Sequence, residues 1–275
     1  MSGKSYGLRV AALTLSSILV FGIGAHATIS KMRNSHRRSV AGRPLDHSVI
    51  RSSRLALVIG NSHYPDAEAS LAHPINDARL LNELLKRAGF DTIVVEDARG
   101  KDLNDAVTRA RTMVKPGAVV ALFFGGFGIQ IGGENFMIPV DASIWREADV
   151  LRDGVSIEAL LSQLRATGAG PELVIIDASR RNPFERRFRD YSHGLGPINA
   201  PVNALTIVST SPDQVADDVS GQNSLLISSL LAVLKSPNAG AVEVFYGILL
   251  EAHRRSGGTQ IPSVSSSLVD DIHLD

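Results

Sequence analysis

The chain has 275 residues, of which 44% are hydrophobic, and this is enough for one large domain or two small ones. Its 28 basic residues balance 28 acidic ones, so it lacks the overall positive charge expected of a nucleic-acid-binding protein. Cysteine is absent, which excludes disulfides, thiolate metal sites and a cysteine nucleophile.

The amino terminus has the pattern of a secretory signal peptide. Lys4 and Arg9 precede an apolar run over residues 10–25, and a small-x-small cleavage pattern follows at residues 25–27. The run is shorter than the roughly 20 residues that span a bilayer comfortably. We therefore predict a cleaved signal over residues 1–27 and an exported protein, either periplasmic or secreted.

An uncleaved membrane anchor is the alternative for this segment. Five basic residues follow the apolar run closely, and by the positive-inside rule the carboxyl side would then favour the cytoplasm; they are Lys31, Arg33, Arg37, Arg38 and Arg43. Contact with a membrane is expected only through this segment. Residues 28–50 are polar, basic and aperiodic, which predicts a linker before a domain over residues 51–275.

From Arg54 onward, short apolar runs alternate with helical stripes. The runs predict strands at residues 55–59, 92–95, 119–124, 173–176 and 205–208, and a hairpin at residues 129–131 and 134–140. The stripes predict helices through residues 81–88, 103–110, 157–164, 227–234 and 242–249, with Ser156 as the N-cap of the third. This alternation predicts an α/β fold with a mostly parallel sheet and helices on both faces. Ligands gather beyond the carboxyl ends of the strands in such sheets.

Two of these strand ends carry distinctive motifs. The first reads Phe123-Phe124-Gly125-Gly126-Phe127-Gly128, and the second reads Asp177-Ala178-Ser179-Arg180. They resemble the segments that carry the catalytic His and Cys of caspase-like peptidases, the clan that includes caspases, metacaspases and their bacterial relatives. In that family the motifs read roughly aromatic-Ser-Gly-His-Gly and Asp-Ala-Cys-Arg. The separation of Phe127 and Ser179 is 179 − 127 = 52 residues, near the spacing of about 50 in caspases.

The resemblance extends over roughly 220 residues, from about Arg54 to the end of the chain. It implies the caspase-like three-layer sandwich and a cysteine-peptidase ancestry. Further matching segments are Leu55 to Asn61 with Tyr64, Pro74 to Ala78, Gly133 to Asn135, Ile138 to Ala142, Asn182 to Phe184, Gly221 to Ser224, and Ser265 to Leu268.

The chain departs from the family at both reacting positions. Phe127 stands where the resemblance places the catalytic His, and it has no nitrogen that could accept a proton. Ser179 stands at the Cys position, and a serine hydroxyl is a poor nucleophile until a neighbouring base takes its proton. The sequence therefore predicts a non-catalytic pseudoprotease that binds a peptide or protein partner, including an active caspase-like relative. The alternative is an unconventional hydrolase in which Ser179 uses a borrowed base, from His193, His63 or His73.

Parts of the family's site are expected to remain. The resemblance implies that the Gly128 N–H helps to form an oxyanion hole. It also implies that Asp177 helps to hold a basic side chain in the specificity pocket; the alternative is that Asp177 caps the strand end through local backbone N–H groups. Arg180 and Arg181 are expected at the rim of the cleft. They form a basic loop with Arg186, Arg187 and Arg189, which either favours acidic peptides or is simply a solvated surface loop.

The sequence favours no cofactor or metal. The glycines at 126, 128 and 132 do not have the dinucleotide spacing, and a hairpin follows them instead of a helix. No Walker motif is present, and no His, Asp or Glu cluster has the spacing of a metal site.

Overall fold

The computed structural model describes residues 53–66, 70–184, 194–216, 221–234, 240–269 and 272. All of them belong to one compact unit, Arg51–Asp275. The signal or anchor and the linker predicted for residues 1–50 lie outside the described residues. Within the described residues, no helix is long and apolar enough to cross a membrane.

Nine strands and six helices are described. The strands are β1 (Arg54–Gly60), β2 (Asp91–Glu96), β3 (Val119–Gly125), β4 (Gly128–Ile131), β5 (Glu134–Met137), β6 (Val155–Ser156), β7 (Glu172–Asp177), β8 (Ala204–Val208) and β9 (Ser263–Ser266). The helices are α1 (Pro74–Arg87), α2 (Gly100–Met113), α3 (Glu147–Asp153), α4 (Ile157–Ala166), α5 (Leu225–Val233) and α6 (Ala241–Arg255).

The main sheet has six strands in the order β2-β1-β3-β7-β8-β9. The first five are parallel, and β9 pairs antiparallel with β8 at the edge. The central strands β1, β3 and β7 read as continuous apolar runs because helices cover both of their faces. This arrangement confirms the predicted α/β fold with a mostly parallel sheet.

The two faces of the sheet carry separate hydrophobic clusters. Successive residues of β1 alternate between them: Leu57 and Ile59 join the cluster under α2 and α4, whereas Ala56 and Val58 join the cluster under α1, α5 and α6. The alternation follows from the two-residue period of a strand. Helix, sheet and helix therefore form the three layers of a sandwich.

A second, three-stranded sheet has the order β4-β5-β6 and follows directly after the first motif. The predicted hairpin is confirmed, with antiparallel pairing of β4 and β5 across Gly132 and Gly133, both of which have positive φ. This sheet and its neighbouring loops enclose a third apolar cluster that contains Phe127.

The helix starts show which local signals were reliable. Ser156 caps α4 as predicted, because its side chain accepts a hydrogen bond from the Ala159 N–H. Ser224 caps α5 in the same way through the Ile227 N–H. Three elements were not predicted: α3 and β6, which are too short to show a period, and β9, whose three serines carry no apolar alternation.

Candidate functional site

The two motifs meet at the carboxyl ends of neighbouring strands. β3 and β7 are adjacent, and Gly125 pairs with Asp177 in their register. The contact continues beyond the strands, where the Gly126 N–H donates to the Asp177 carbonyl at 3.2 Å and the Gly128 N–H donates to the Ala178 carbonyl at 3.1 Å. The two motifs therefore lie side by side and are joined by backbone hydrogen bonds.

Phe127 is a packing residue in this structure. Its ring is 6% exposed and meets the ring of Tyr64 edge-on, with the centroids 4.7 Å apart. The Phe127 N–H donates to the Tyr64 hydroxyl at 3.0 Å, and that hydroxyl donates to the Ile138 carbonyl at 3.1 Å. Burial raises the pKa of Tyr64 well above its ordinary value, so the phenol stays neutral and holds both partners.

Ser179 is completely buried. Its carbonyl accepts a hydrogen bond from the Ala216 N–H at 2.6 Å, which brings the segment after β8 onto the second motif. The Ser179 Oγ has no hydrogen-bond partner among the described residues. In the described part of the chain, therefore, nothing lies in position to take the proton from this hydroxyl.

His63 is engaged elsewhere. Its Nδ1 lies 2.6 Å from Asp97 Oδ2, and its side chain is 68% exposed, whereas Ser179 is buried. Partial burial alone would raise the pKa of Asp97, but bonds from the His63 N–H, the His63 ring and the Ser62 N–H lower it. Neither His63 nor His73 bonds to the Ser179 hydroxyl, so this arrangement provides no base from either; His193 lies outside the described residues.

Gly128 does not present a free oxyanion donor here. Its N–H is used by the Ala178 carbonyl, which corrects the role expected for it. The need for glycine is steric, because a Cβ at this position would lie 2.7 Å from Leu195 Cδ2 and 3.1 Å from the Ala178 oxygen. Leu195 is itself fully buried and packs with Ala178 in the core cluster under α2 and α4.

Asp177 forms a buried ion pair with Arg180. Its Oδ1 lies 3.6 Å from Arg180 Nη2, and both side chains are buried. The sequence analysis placed Arg180 at the rim of the cleft. In the structure Arg180 is only 5% exposed, so it is buried and does not line a rim. Arg181 is exposed, as expected of the basic loop, whose residues 186, 187 and 189 lie outside the described residues.

Asp77 belongs to the same buried cluster, and it was not predicted as a site residue. Burial, followed by the neighbouring charge of Asp177, raises the pKa of Asp77 to about 6. Its carboxylate accepts hydrogen bonds from Asn223 Nδ2 at 2.8 Å and from the Ser224 N–H at 3.2 Å. The sequence held a signal for it: Asp77 lies four residues before Leu81, on the apolar stripe of its helix, where a carboxylate needs a buried partner.

The comparisons with known proteins agree with this architecture. A family model described as the caspase domain matches residues 53–273. The chain belongs to the caspase domain family.

Two relatives of this caspase-domain protein share its sequence at low identity. One is mucosa-associated lymphoid tissue lymphoma translocation protein 1 of Homo sapiens, 26% identical over 134 residues, which are 48% of this chain and 16% of that protein. The other is its homolog in Mus musculus, 24% identical over 159 residues, or 57% of this chain and 18% of that protein. The chain thus spans less than a fifth of the length of either relative.

Proposed function

We propose that this caspase-domain protein is a non-catalytic member of its family that binds a peptide or a protein partner, including an active caspase-domain relative. The observation that supports the proposal most strongly is the burial of Ser179 with no base bonded to its hydroxyl in the part of the chain that the structure describes. A hydrolase that uses a serine needs an exposed hydroxyl and a base within hydrogen-bond distance. Ser179 is buried, and among the described residues its hydroxyl bonds to nothing.

The other half of the reacting pair supports the same conclusion. Phe127 carries no titratable group, and its ring is held in an apolar cluster with Tyr64 and Phe184. In a serine protease, the loss of the nucleophile or of the base alone costs about 10⁶ in turnover. No cysteine elsewhere in the chain could replace the thiol of the family.

The activity test compares the full chain with a matched pair of variants. Fluorogenic peptides ending in Arg, Lys or Asp are the substrates. We expect no cleavage by the natural protein above the level of Ser179→Ala. Cleavage by the double variant Phe127→His/Ser179→Cys, and not by Phe127→His/Ser179→Ala, would indicate that the surrounding site still accepts peptides. Cleavage by the natural protein that Ser179→Ala abolishes would contradict the proposal and favour the serine hydrolase.

The binding test uses uncleavable labelled peptides with the same three end residues, together with an active caspase-domain protein. Fluorescence anisotropy with the full chain is expected to show saturable binding to at least one of these probes. The exposed Arg181 gives acidic peptides an electrostatic advantage, so that binding should weaken as salt is added. If none of the probes binds, the proposed binding of a peptide or protein partner is contradicted. Export or membrane anchoring through residues 1–27 stays a prediction.

A further inference from the structure

A segment of the chain itself lies in the space beside the two reacting positions. Gly194 to Pro197 form no helix or strand, yet Leu195 is only 1% exposed. The Leu195 side chain packs against Gly128, the neighbour of Phe127, and against Ala178, the neighbour of Ser179. The space next to both motifs is therefore filled by an aliphatic side chain from another part of the chain.

The backbone of this segment is held on both sides as a bound peptide would be. On one side, the Asn135 amide accepts from the Gly196 N–H at 2.9 Å and donates to the Pro197 carbonyl at 3.4 Å. Glu158 orients that amide by accepting from its Nδ2 at 2.8 Å. On the other side, the Leu195 carbonyl accepts from the Asp213 N–H at 3.1 Å.

The surroundings of Leu195, which we call the anchor, also restrict the residues beside it. Gly194 has a φ of +70°, and a Cβ there would collide with the backbone carbonyl of Gln214. A Cβ on Gly196 would meet only the end of the Gln130 side chain, which can move aside. The site therefore accepts one aliphatic side chain directly after a glycine, and main-chain bonds bind the remainder.

From this arrangement we infer that the groove formed by Gly128, Asn135 and residues 213–216 is a peptide-binding site that the segment Gly194–Pro197, the internal ligand, occupies. The partner that replaces it is a peptide with an aliphatic residue directly after a glycine, bound through main-chain hydrogen bonds. This inference rests on the proposed function, because it names where the peptide binds and what keeps the site closed.

The absence of natural cysteine makes the closure measurable. In the full chain, Ser179→Cys introduces a single thiol at the covered position, and Thr108→Cys introduces one at an exposed position of α2 as the reference. We expect Cys at position 179 to react with iodoacetamide at least about tenfold more slowly than the reference thiol, since reaction waits for local opening. Equal rates would overturn the inference.

Two variants release the internal ligand by different means. Leu195→Ala removes the anchor, and Gly194→Ala forces a clash with the Gln214 carbonyl. Each is expected to accelerate labelling at position 179 about tenfold or more and to leave labelling at position 108 unchanged. Their matched controls are Leu164→Ala, in the same core cluster at the far end of α4, and Gly168→Ala, which also has a positive φ. Equal acceleration by the controls would mean general destabilisation and would overturn the inference.

A third experiment adds a peptide, and its result distinguishes this inference from the proposed function. A peptide with the sequence of residues 194–200 is added to the Leu195→Ala/Ser179→Cys chain. We expect it to slow labelling at position 179, whereas the same peptide with alanine in place of leucine does not. Faster labelling without protection by the peptide would overturn the groove as the peptide site, while leaving the anisotropy test of partner binding to stand or fail independently.

Discussion

Ser179 and Glu172 are buried side chains whose oxygens accept or donate no hydrogen bond within the described residues. The two lie at opposite ends of β7, with Ser179 beyond its carboxyl end and Glu172 at its start. A buried polar atom without a partner costs free energy that a substitution can recover. At each position, a single substitution can therefore test whether the folded protein carries this cost.

The first prediction concerns the hydroxyl at position 179. We expect Ser179→Ala to leave the free energy of unfolding unchanged or to raise it by about 1 kcal/mol, because an unsatisfied hydroxyl is removed. Ser224→Ala is the matched control and should lower it by about 1 kcal/mol, since that side chain caps α5. Urea unfolding measures both. A loss of stability in Ser179→Ala would mean that the hydroxyl is bonded after all.

The second prediction concerns pH. Burial raises the pKa of Glu172 to about 7, although Arg165 Nε, 3.8 Å away, opposes the shift. The folded state therefore favours the protonated acid, and its stability falls as the pH rises from the unfolded value of 4.5 through about 7. Relative to the natural protein, Glu172→Gln should gain roughly 2–3 kcal/mol between pH 4 and pH 8.

Thermal or urea unfolding at several pH values checks the gain of Glu172→Gln. Its control is Glu134→Gln, which changes an exposed carboxylate of the hairpin. A gain that does not depend on pH would contradict the burial of a protonated acid.

At the scale of elements, Asp77 joins two helices that are far apart in the chain. It lies in the first turn of α1, and its carboxylate bonds to Asn223 and Ser224 at the start of α5. The Asn76 side chain adds a bond to the Gln222 carbonyl at 3.2 Å. The start of α5 thus depends on a carboxylate from α1 as well as on its own serine cap.

The third prediction tests this connection. We expect Asp77→Ala to increase hydrogen exchange in peptides covering residues 221–230, because the Ser224 N–H loses its acceptor, and to lower stability by about 1–2 kcal/mol. Asp105→Ala, which removes an exposed carboxylate from α2, should change neither quantity. Unchanged exchange at the start of α5 would show that the Asp77 bonds do not hold it.

At the scale of the whole molecule, one sheet separates two cores, and their stabilities are expected to be coupled through it. Leu57 belongs to the cluster under α2 and α4, and Leu173 to the cluster on the opposite face. Either cluster alone would leave one face of the sheet exposed to water. Loss of one core should therefore unfold both.

The fourth prediction follows from this coupling. Leu57→Ala and Leu173→Ala should each cost about 2–5 kcal/mol and should each keep a single unfolding transition. Leu250→Ala, at an exposed position, should change stability by less than about 0.5 kcal/mol. Far- and near-ultraviolet circular dichroism must give coincident midpoints. A transition that splits in either core variant would contradict the coupling.

The fold could be predicted because its signals are local. The parallel strands were recognised from unbroken apolar runs such as Val119 to Phe124, and the helices from stripes such as Leu103 to Ala110. The N-cap at Ser156 needed only the preference of its own residue type. By contrast, α3, β6 and β9 are defined mainly by pairing and packing with distant segments, and their sequences carry no period.

The sequence by itself determined the α/β sandwich, the family, and the absence of an imidazole at position 127 and of a thiol at position 179, because periodicity and residue type are properties of single segments. Only the tertiary structure decided what surrounds those positions. The ion pair of Asp177 with Arg180, the bond of the Gly128 N–H to Ala178, and the packing of Leu195 against Gly128 join groups in different segments or depend on side-chain and backbone direction. Whether a buried polar group is bonded, and whether a cleft is open, depends on which distant atoms reach it, and no local pattern encodes that distance.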